Sequence, residues 1–162
     1  MRKKIIEILK KDSRTNLEDI AAMLAVSVDE VKRLISEMER DGIILQYSVV
    51  VNDELVDDSD AVTAFIEVKV TPERDKGFDS IARRLQKFEE VQSVFLMSGT
   101  YDFLVAVKGK SLKDVASFVS SKLSPLESVI SCSTHFLLKK YKENGIVMEH
   151  EEATSSRLNL TF

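Results

Sequence analysis

The chain has 162 residues, 44% of them apolar and 31% charged, with a formal net charge of −4. These values suit a globular protein of one compact domain or two small ones. A lone Cys132 and two histidines exclude a disulfide framework and a zinc constellation, and no apolar run approaches the roughly 20 residues of a membrane helix. No metal, no cofactor and no membrane partner are therefore implied, and a cytoplasmic protein is expected. The charge is unevenly spread. Residues 1–52 hold nine Lys/Arg against nine Asp/Glu, whereas residues 53–162 hold fourteen against eighteen, a split that points to two domains.

In chain order, Arg2 to Lys11 reads as a helix with Ile5, Ile6, Ile8 and Leu9 on its apolar side. Met1-Arg2-Lys3-Lys4 has the charge of a signal-peptide start, but Glu7 and Lys10-Lys11 leave the apolar run behind it too short for a signal core. A second helix opens at Asn16, a good N-cap, with Leu17, Ile20, Ala21 and Leu24 spaced along one face. After Ala25-Val26, Ser27-Val28-Asp29-Glu30 forms a capping box. The third helix continues through Val31, Leu34, Ile35 and Met38 to Gly42, which suits a left-handed C-terminal position. "GIILQYSVVVN" (42–52) then predicts two short strands around Gln46-Tyr47-Ser48.

Three short helices with a tight turn before the last, then a small hairpin, outline a winged helix-turn-helix. The third helix would enter the major groove of double-stranded operator DNA. Its outward residues Asp29, Lys32, Arg33, Ser36 and Arg40, with the cap residues Asn16 and Ser27 beside them, are the candidate DNA contacts. The basic Arg2-Lys3-Lys4 would add contacts to phosphate. From pattern alone a plain three-helix bundle with a solvated charged face stays open, and Asp29 and Glu30 weigh toward it because carboxylates repel phosphate.

The acidic "DELVDDSD" (53–60) reads as a linker. "AVTAFIEVKVT" (61–71) alternates as a strand, with Val62, Ala64, Ile66, Val68 and Val70 on one face. A helix over 77–88 places Phe78, Ile81, Leu85 and Phe88 together, and strands over 91–97 and 103–107 flank a turn at 98–102. A helix over 111–124, capped by Ser111, and a last strand over 128–141 complete a β-α-β-β-α-β order. Both strands of the central pair are apolar on two faces. Both helices of such a fold cover the same face, so the other would expose apolar area unless a second copy covers it; a homodimer or larger oligomer is expected.

With these elements in place, the chain resembles the leucine-responsive/asparagine regulator family (Lrp/AsnC) nearly end to end. The motifs that carry the resemblance are "NLEDIAAMLAVSVDEVKRLISEMERDGII", "VFLMSGTYDFLVAVKGKSLKDVASFV" and "STHFLLKKYK", with Gly99 to Asp102 the most specific part. It implies an α+β chain: a winged helix-turn-helix DNA-binding domain over 1–52 and a ferredoxin-like sensor (RAM-type) domain over 61–141 for effector binding and oligomerisation. A C-terminal extension over 142–162 follows, with strand alternation at Arg157-Leu158-Asn159-Leu160. The family further implies a non-enzymatic transcriptional regulator whose dimers assemble to octamers and bind a small effector, typically an amino acid, between dimers. By position, the effector contacts are Ser98, Gly99, Thr100, Tyr101, Asp102 and Thr134. A zwitterion needs a carboxylate near its ammonium and amide donors near its own carboxylate, and Asp102 beside a glycine-opened turn offers both.

Two other readings compete. Relatives with this layout act as tetrapyrrole (sirohaem) decarboxylases through histidine and arginine residues, but only His135 and His150 exist here and no basic residues converge on them. The other is a co-assembling partner subunit whose acidic third helix no longer binds DNA.

Overall fold

In the computed structural model, which describes residues 1–56, 61–72 and 77–148, the chain divides into two units, Met1–Val51 and Asn52–Phe162. Residues 57–60 of the expected linker, His150 and the expected strand at Arg157 to Leu160 lie outside the described residues.

The first unit contains α1 (Arg2–Lys11), α2 (Leu17–Leu24) and α3 (Val28–Arg40). Their starts follow from side-chain chemistry. Asn16 accepts from the Asp19 amide at 2.8 Å and Ser27 from the Glu30 amide at 3.2 Å, each satisfying a donor that a helix start leaves open. The α2–α3 turn is made by Ala25 at φ +54°, a left-handed conformation in a non-glycine residue. α3 ends in a Schellman motif: Ile43 N–H donates to Met38 O at 2.8 Å, Gly42 N–H donates to Glu39 O at 3.2 Å, and Gly42 takes φ +70°. The apolar faces meet in a core of Ile5, Ile20, Ala21, Val31, Leu34, Ile35 and Met38.

Here one expectation fails. No strand pairing forms over 43–52, and Leu45 and Val49 stand 88% and 73% exposed. Gln46-Tyr47-Ser48 lacks the glycine or asparagine that a two-residue hairpin needs at positive φ, and a lone two-stranded ribbon is marginal in water. Only Ile44 is drawn onto the core.

The second unit is built on a four-stranded antiparallel sheet of order β2-β3-β1-β4, comprising β1 (Val62–Val70), β2 (Val91–Leu96), β3 (Phe103–Gly109) and β4 (Val129–Phe136). α4 (Asp79–Leu85) and α5 (Leu112–Phe118) bury Ile81, Leu85, Val115 and Phe118 against Ala64, Ile66, Val68, Phe103, Val105 and Val107. α4 is shorter than the predicted 77–88, with Phe78 and Phe88 packed on the core from its flanks. α5 does not run unbroken to 124. Ser120 and Ser121 hydroxyls both donate to Ser117 O, and residues Val119–Leu123 widen into a π-helical turn closed by Ser124 N–H on Val119 O at 2.8 Å. Competition of hydroxyls for a helix carbonyl accounts for the widening.

The register fixes what the other sheet face presents. Phe65 pairs with Ala106 and His135, Glu67 with Leu104 and Ser133, and Phe95 with Leu104, so these residues share the face opposite the helices. The face is apolar toward β2 and β3, where Phe95 is 51% exposed, and polar toward β4. It is therefore narrower as an apolar surface than the composition of β2 and β3 suggests.

Beyond β4 the predicted strand stops at Phe136, five residues short, and a small hairpin follows: β5 (Lys142–Glu143) and β6 (Ile146–Val147). Asn144 at φ +50° and Gly145 at φ +85° form its turn, the asparagine-glycine arrangement that suits a tight reversal. Lys140 donates to Asp53 at 2.9 Å and to Glu143 at 3.2 Å. The Asp53 partnership raises the Lys140 pKa and lowers that of Asp53.

Candidate functional site

At about 100° per residue, the buried positions of α3 place Asp29, Arg33, Ser36 and Arg40 furthest from the core. Lys32 and Glu39 flank one side, Glu30 and Glu37 the other. Asp29, Lys32, Arg33, Ser36 and Arg40 are all exposed. Asn16 and Ser27 sit at the N-terminal ends of α2 and α3 with their side-chain oxygens committed to capping, apart from the exposed face that Asp29, Arg33, Ser36 and Arg40 share along α3.

Acidic neighbours restrain the basic residues. Glu37 Oε1 accepts from Arg33 Nη1 at 2.7 Å, one turn away, and Glu37 Oε2 accepts from Arg2 Nη2 at 2.8 Å across from α1. Arg40 pairs with Asp41 at 3.3 Å. The Arg2 and Arg33 guanidiniums hold the Glu37 carboxyl below the ordinary glutamate range. Tyr47 donates its hydroxyl to Glu39 at 2.8 Å. Burial, the bond to that carboxylate and its charge push the Tyr47 pKa up to about 12. Lys32 makes no ion pair among the described residues. Sequence reading passed over Glu37, although its four-residue spacing from Arg33 is a readable signal.

At the second candidate site, Met97 N–H donates to Asp102 O at 2.8 Å and closes the hairpin between β2 and β3. Asp102 N–H donates to Val68 O at 3.1 Å, and Asp102 Oδ2 accepts from Val70 N–H at 2.8 Å. The side chain thus supplies the acceptor that β3 would have offered had the β1–β3 ladder continued past Phe103. This anchoring role was not legible from sequence. Asp102 Oδ1 has no partner among the described residues, and neither do the amides of Ser98, Gly99, Thr100 and Tyr101. Gly99 takes φ +153°, strained for any L side chain, with open space where a Cβ would stand. Ser98, Gly99 and Thr100 are exposed; Tyr101 and Asp102 are half-buried.

Five of the six predicted effector residues therefore form one contiguous tip. Thr134 lies apart, on β4 opposite Ile66, with β1 between it and β3.

A separate open groove of about 910 Å³ lies at the Gly109 end of β3. Lys108, Lys110 and Lys122 face Glu89, Glu90 and Asp114 around it, a balanced set that selects no ligand charge, and no residue of the tip lines it. His135 Nε2 is 3.4 Å from both Glu67 Oε1 and Ser133 Oγ. One nitrogen serving both groups is not a relay between a nucleophile and an acid, which needs two. Among the described residues no group of three His, Cys, Asp or Glu is arranged to hold a metal, and no helix is long and apolar enough to cross a membrane.

Comparison with known proteins agrees with this division. Residues 1–44 match the family described as winged helix-turn-helix DNA-binding, and residues 63–147 match that described as Lrp/AsnC ligand binding domain. The chain is 52% identical to the uncharacterized HTH-type transcriptional regulator YugG of Bacillus subtilis, over 90% of this chain and 87% of that one. A transcriptional regulator of Neisseria meningitidis solved as a complex with L-Met superposes with a TM-score of 0.69 at 26% identity, covering 86% of this chain and 89% of that one. AsnC of E. coli shares the fold, with a TM-score of 0.68 at 21% identity, over 88% and 93% of the two chains.

Proposed function

Because this chain belongs to the Lrp/AsnC family of transcriptional regulators, we propose that it binds operator DNA through α3 and is switched by a free amino acid held at the β2–β3 hairpin tip. The observation that carries the effector assignment is the half-used Asp102 carboxylate. One oxygen is fixed to β1, while the other has no partner among the described residues, and neither do the amides of the four residues that precede it in the chain. An ammonium suits the free oxygen and a carboxylate suits the amides, so a zwitterion satisfies both at once. The relative solved with L-Met supports an α-amino acid as the ligand class.

Assembly follows from the open sheet face. Phe95, Leu104 and Phe65 meet a second copy there, forming a homodimer, and dimers join toward an octamer with the hairpin tips at their junctions. Thr134 contributes to a site on the neighbouring copy in that arrangement. The protein works in the cytoplasm, and its role is binding rather than catalysis. The effector acts by binding one assembly more tightly than another, since a ligand with equal affinity for both shifts nothing.

The neutralised surface of α3 favours a second reading, a partner subunit without DNA binding of its own. Fluorescence anisotropy with the DNA upstream of its gene separates the two. A regulator binds well below the ~10⁻⁴–10⁻⁶ M of non-specific association and loses affinity steeply with salt, whereas a partner subunit does neither. A thermal-shift screen of the twenty amino acids tests the effector, because a bound ligand raises the melting temperature by mass action. No shift with any of them, nor with the corresponding keto acids, refutes the sensor assignment.

A further inference from the structure

We infer that Glu37 is a built-in competitor of DNA phosphate, holding Arg2 and Arg33 on its carboxylate until phosphate displaces it. The inference rests on α3 being the DNA-contacting helix and adds a control on how strongly it engages. Each Glu37 oxygen takes one guanidinium, at 2.8 Å from Arg2 and 2.7 Å from Arg33. A backbone phosphate offers the same arrangement, two anionic oxygens toward two guanidiniums, so the arginines can exchange one partner for the other. They remain reachable: the Arg2 and Arg33 side chains are 45% and 58% exposed, while Glu37 beneath them is 22% exposed.

The remaining charge on α3 makes the competition consequential. Arg40 is paired with Asp41, and Asp29 and Glu30 stand at the helix start, which leaves Lys32 as the one α3 cation without an ion pair among the described residues. Arg33 is among the residues furthest from the core, and Arg2 belongs to the basic start of α1. A single substitution at Glu37 releases both arginines at once.

A purely mechanical role has a different signature. Arg2 also reaches Asp41 at 3.7 Å, so the cluster links α1 to α3 and acts as a brace whether or not DNA is present. A brace predicts a lower melting temperature for Glu37→Gln and no gain in DNA affinity. A competitor predicts tighter binding with a changed salt response.

The test measures anisotropy of a fluorescein-labelled duplex against salt for the full chain and for Glu37→Gln, with circular dichroism melts alongside. Glu7→Gln removes an exposed carboxylate with no ion pair among the described residues and controls for net charge. The expected result for Glu37→Gln is binding about three- to tenfold tighter at low salt, the scale of two exposed ion pairs. Its slope of log affinity against log salt steepens by about 1 to 2, because each added phosphate contact contributes ~0.9. Glu7→Gln leaves the slope unchanged, and Arg33→Ala in the Glu37→Gln background removes about half of the gain. Wild-type binding with no difference between Glu37→Gln and Glu7→Gln overturns the inference and leaves DNA binding intact. Weaker binding by Glu37→Gln overturns it as well, since Glu37 would then be positioning the arginines for phosphate. If none of the variants binds, the assignment of α3 to DNA fails, and the inference with it.

Discussion

Asp102 carries two separable loads, and substituting it in two ways pulls them apart. Asp102→Ala removes the acceptor for the Val70 amide, whose residue is 4% exposed, and leaves a donor inside the sheet without a partner. Loss of a hydrogen bond to a charged group costs about 1.5–3 kcal/mol. At roughly 4–8 °C per kcal/mol for a domain of this size, the melting temperature falls on the order of 10 °C. Asp102→Asn keeps an oxygen in the same place, so it costs less than about 1 kcal/mol, but it strips the charge that the proposed site offers to an effector ammonium. Effector affinity then drops about 30- to 150-fold, the equivalent of about 2–3 kcal/mol. Calorimetric melts and isothermal titration with the amino acid found by screening measure the two effects independently. Asp102→Asn binding the amino acid as tightly as wild type would refute the charge argument. Asp102→Ala melting with wild type would refute the anchor.

Phe95→Asp places a carboxylate in the apolar part of the proposed sheet-to-sheet interface. Two phenylalanines of about 1.5–3 kcal/mol each leave that interface, so sedimentation velocity should show the dimer weakened by at least about 100-fold, and an unchanged dimer places the interface elsewhere. Tyr47 should titrate near pH 12 by tyrosinate absorbance, and Tyr47→Phe should remove that late phase. Because the folded-state pKa is raised, the stabilisation from Tyr47 is complete below the ordinary tyrosine range and is lost as pH rises through about 12. Asp53 is the opposite case: Lys140 lowers its pKa, so its contribution is present above the ordinary aspartate range and disappears as acid titrates the folded carboxyl. In Lys140→Met that acid-dependent part of the melting curve should vanish, and its persistence would show that Asp53 is not paired.

Local chemistry made much of the fold legible. Asn16, Ser27 and Ser111 each cap the helix their sequence predicts, Gly42 ends α3 in the left-handed conformation, and the alternation of Ala64, Ile66, Val68 and Val70 orients β1 onto its helices. These features depend on neighbours within a few residues. The Asn144-Gly145 turn is equally local, since an asparagine-glycine pair is itself a hairpin signal, although it lies within the expected C-terminal extension. What sequence could not supply was pairing at a distance. Asp102 meets Val70 across 32 residues and Arg2 meets Glu37 across 35, and no spacing rule announces either. The segment 43–52 failed for another reason: its strand composition is real, but no partner for the ladder stands among the described residues.

The central claim is that amino-acid binding at the hairpin tip controls how α3 engages DNA. Its most direct test is the affinity for upstream DNA, measured by anisotropy with and without a saturating amino acid identified by thermal shift. The account predicts a change of about 5- to 150-fold in either direction, with the reciprocal change in amino-acid affinity when DNA is present. An amino acid that binds at the tip yet leaves both DNA affinity and assembly state unaltered would contradict it.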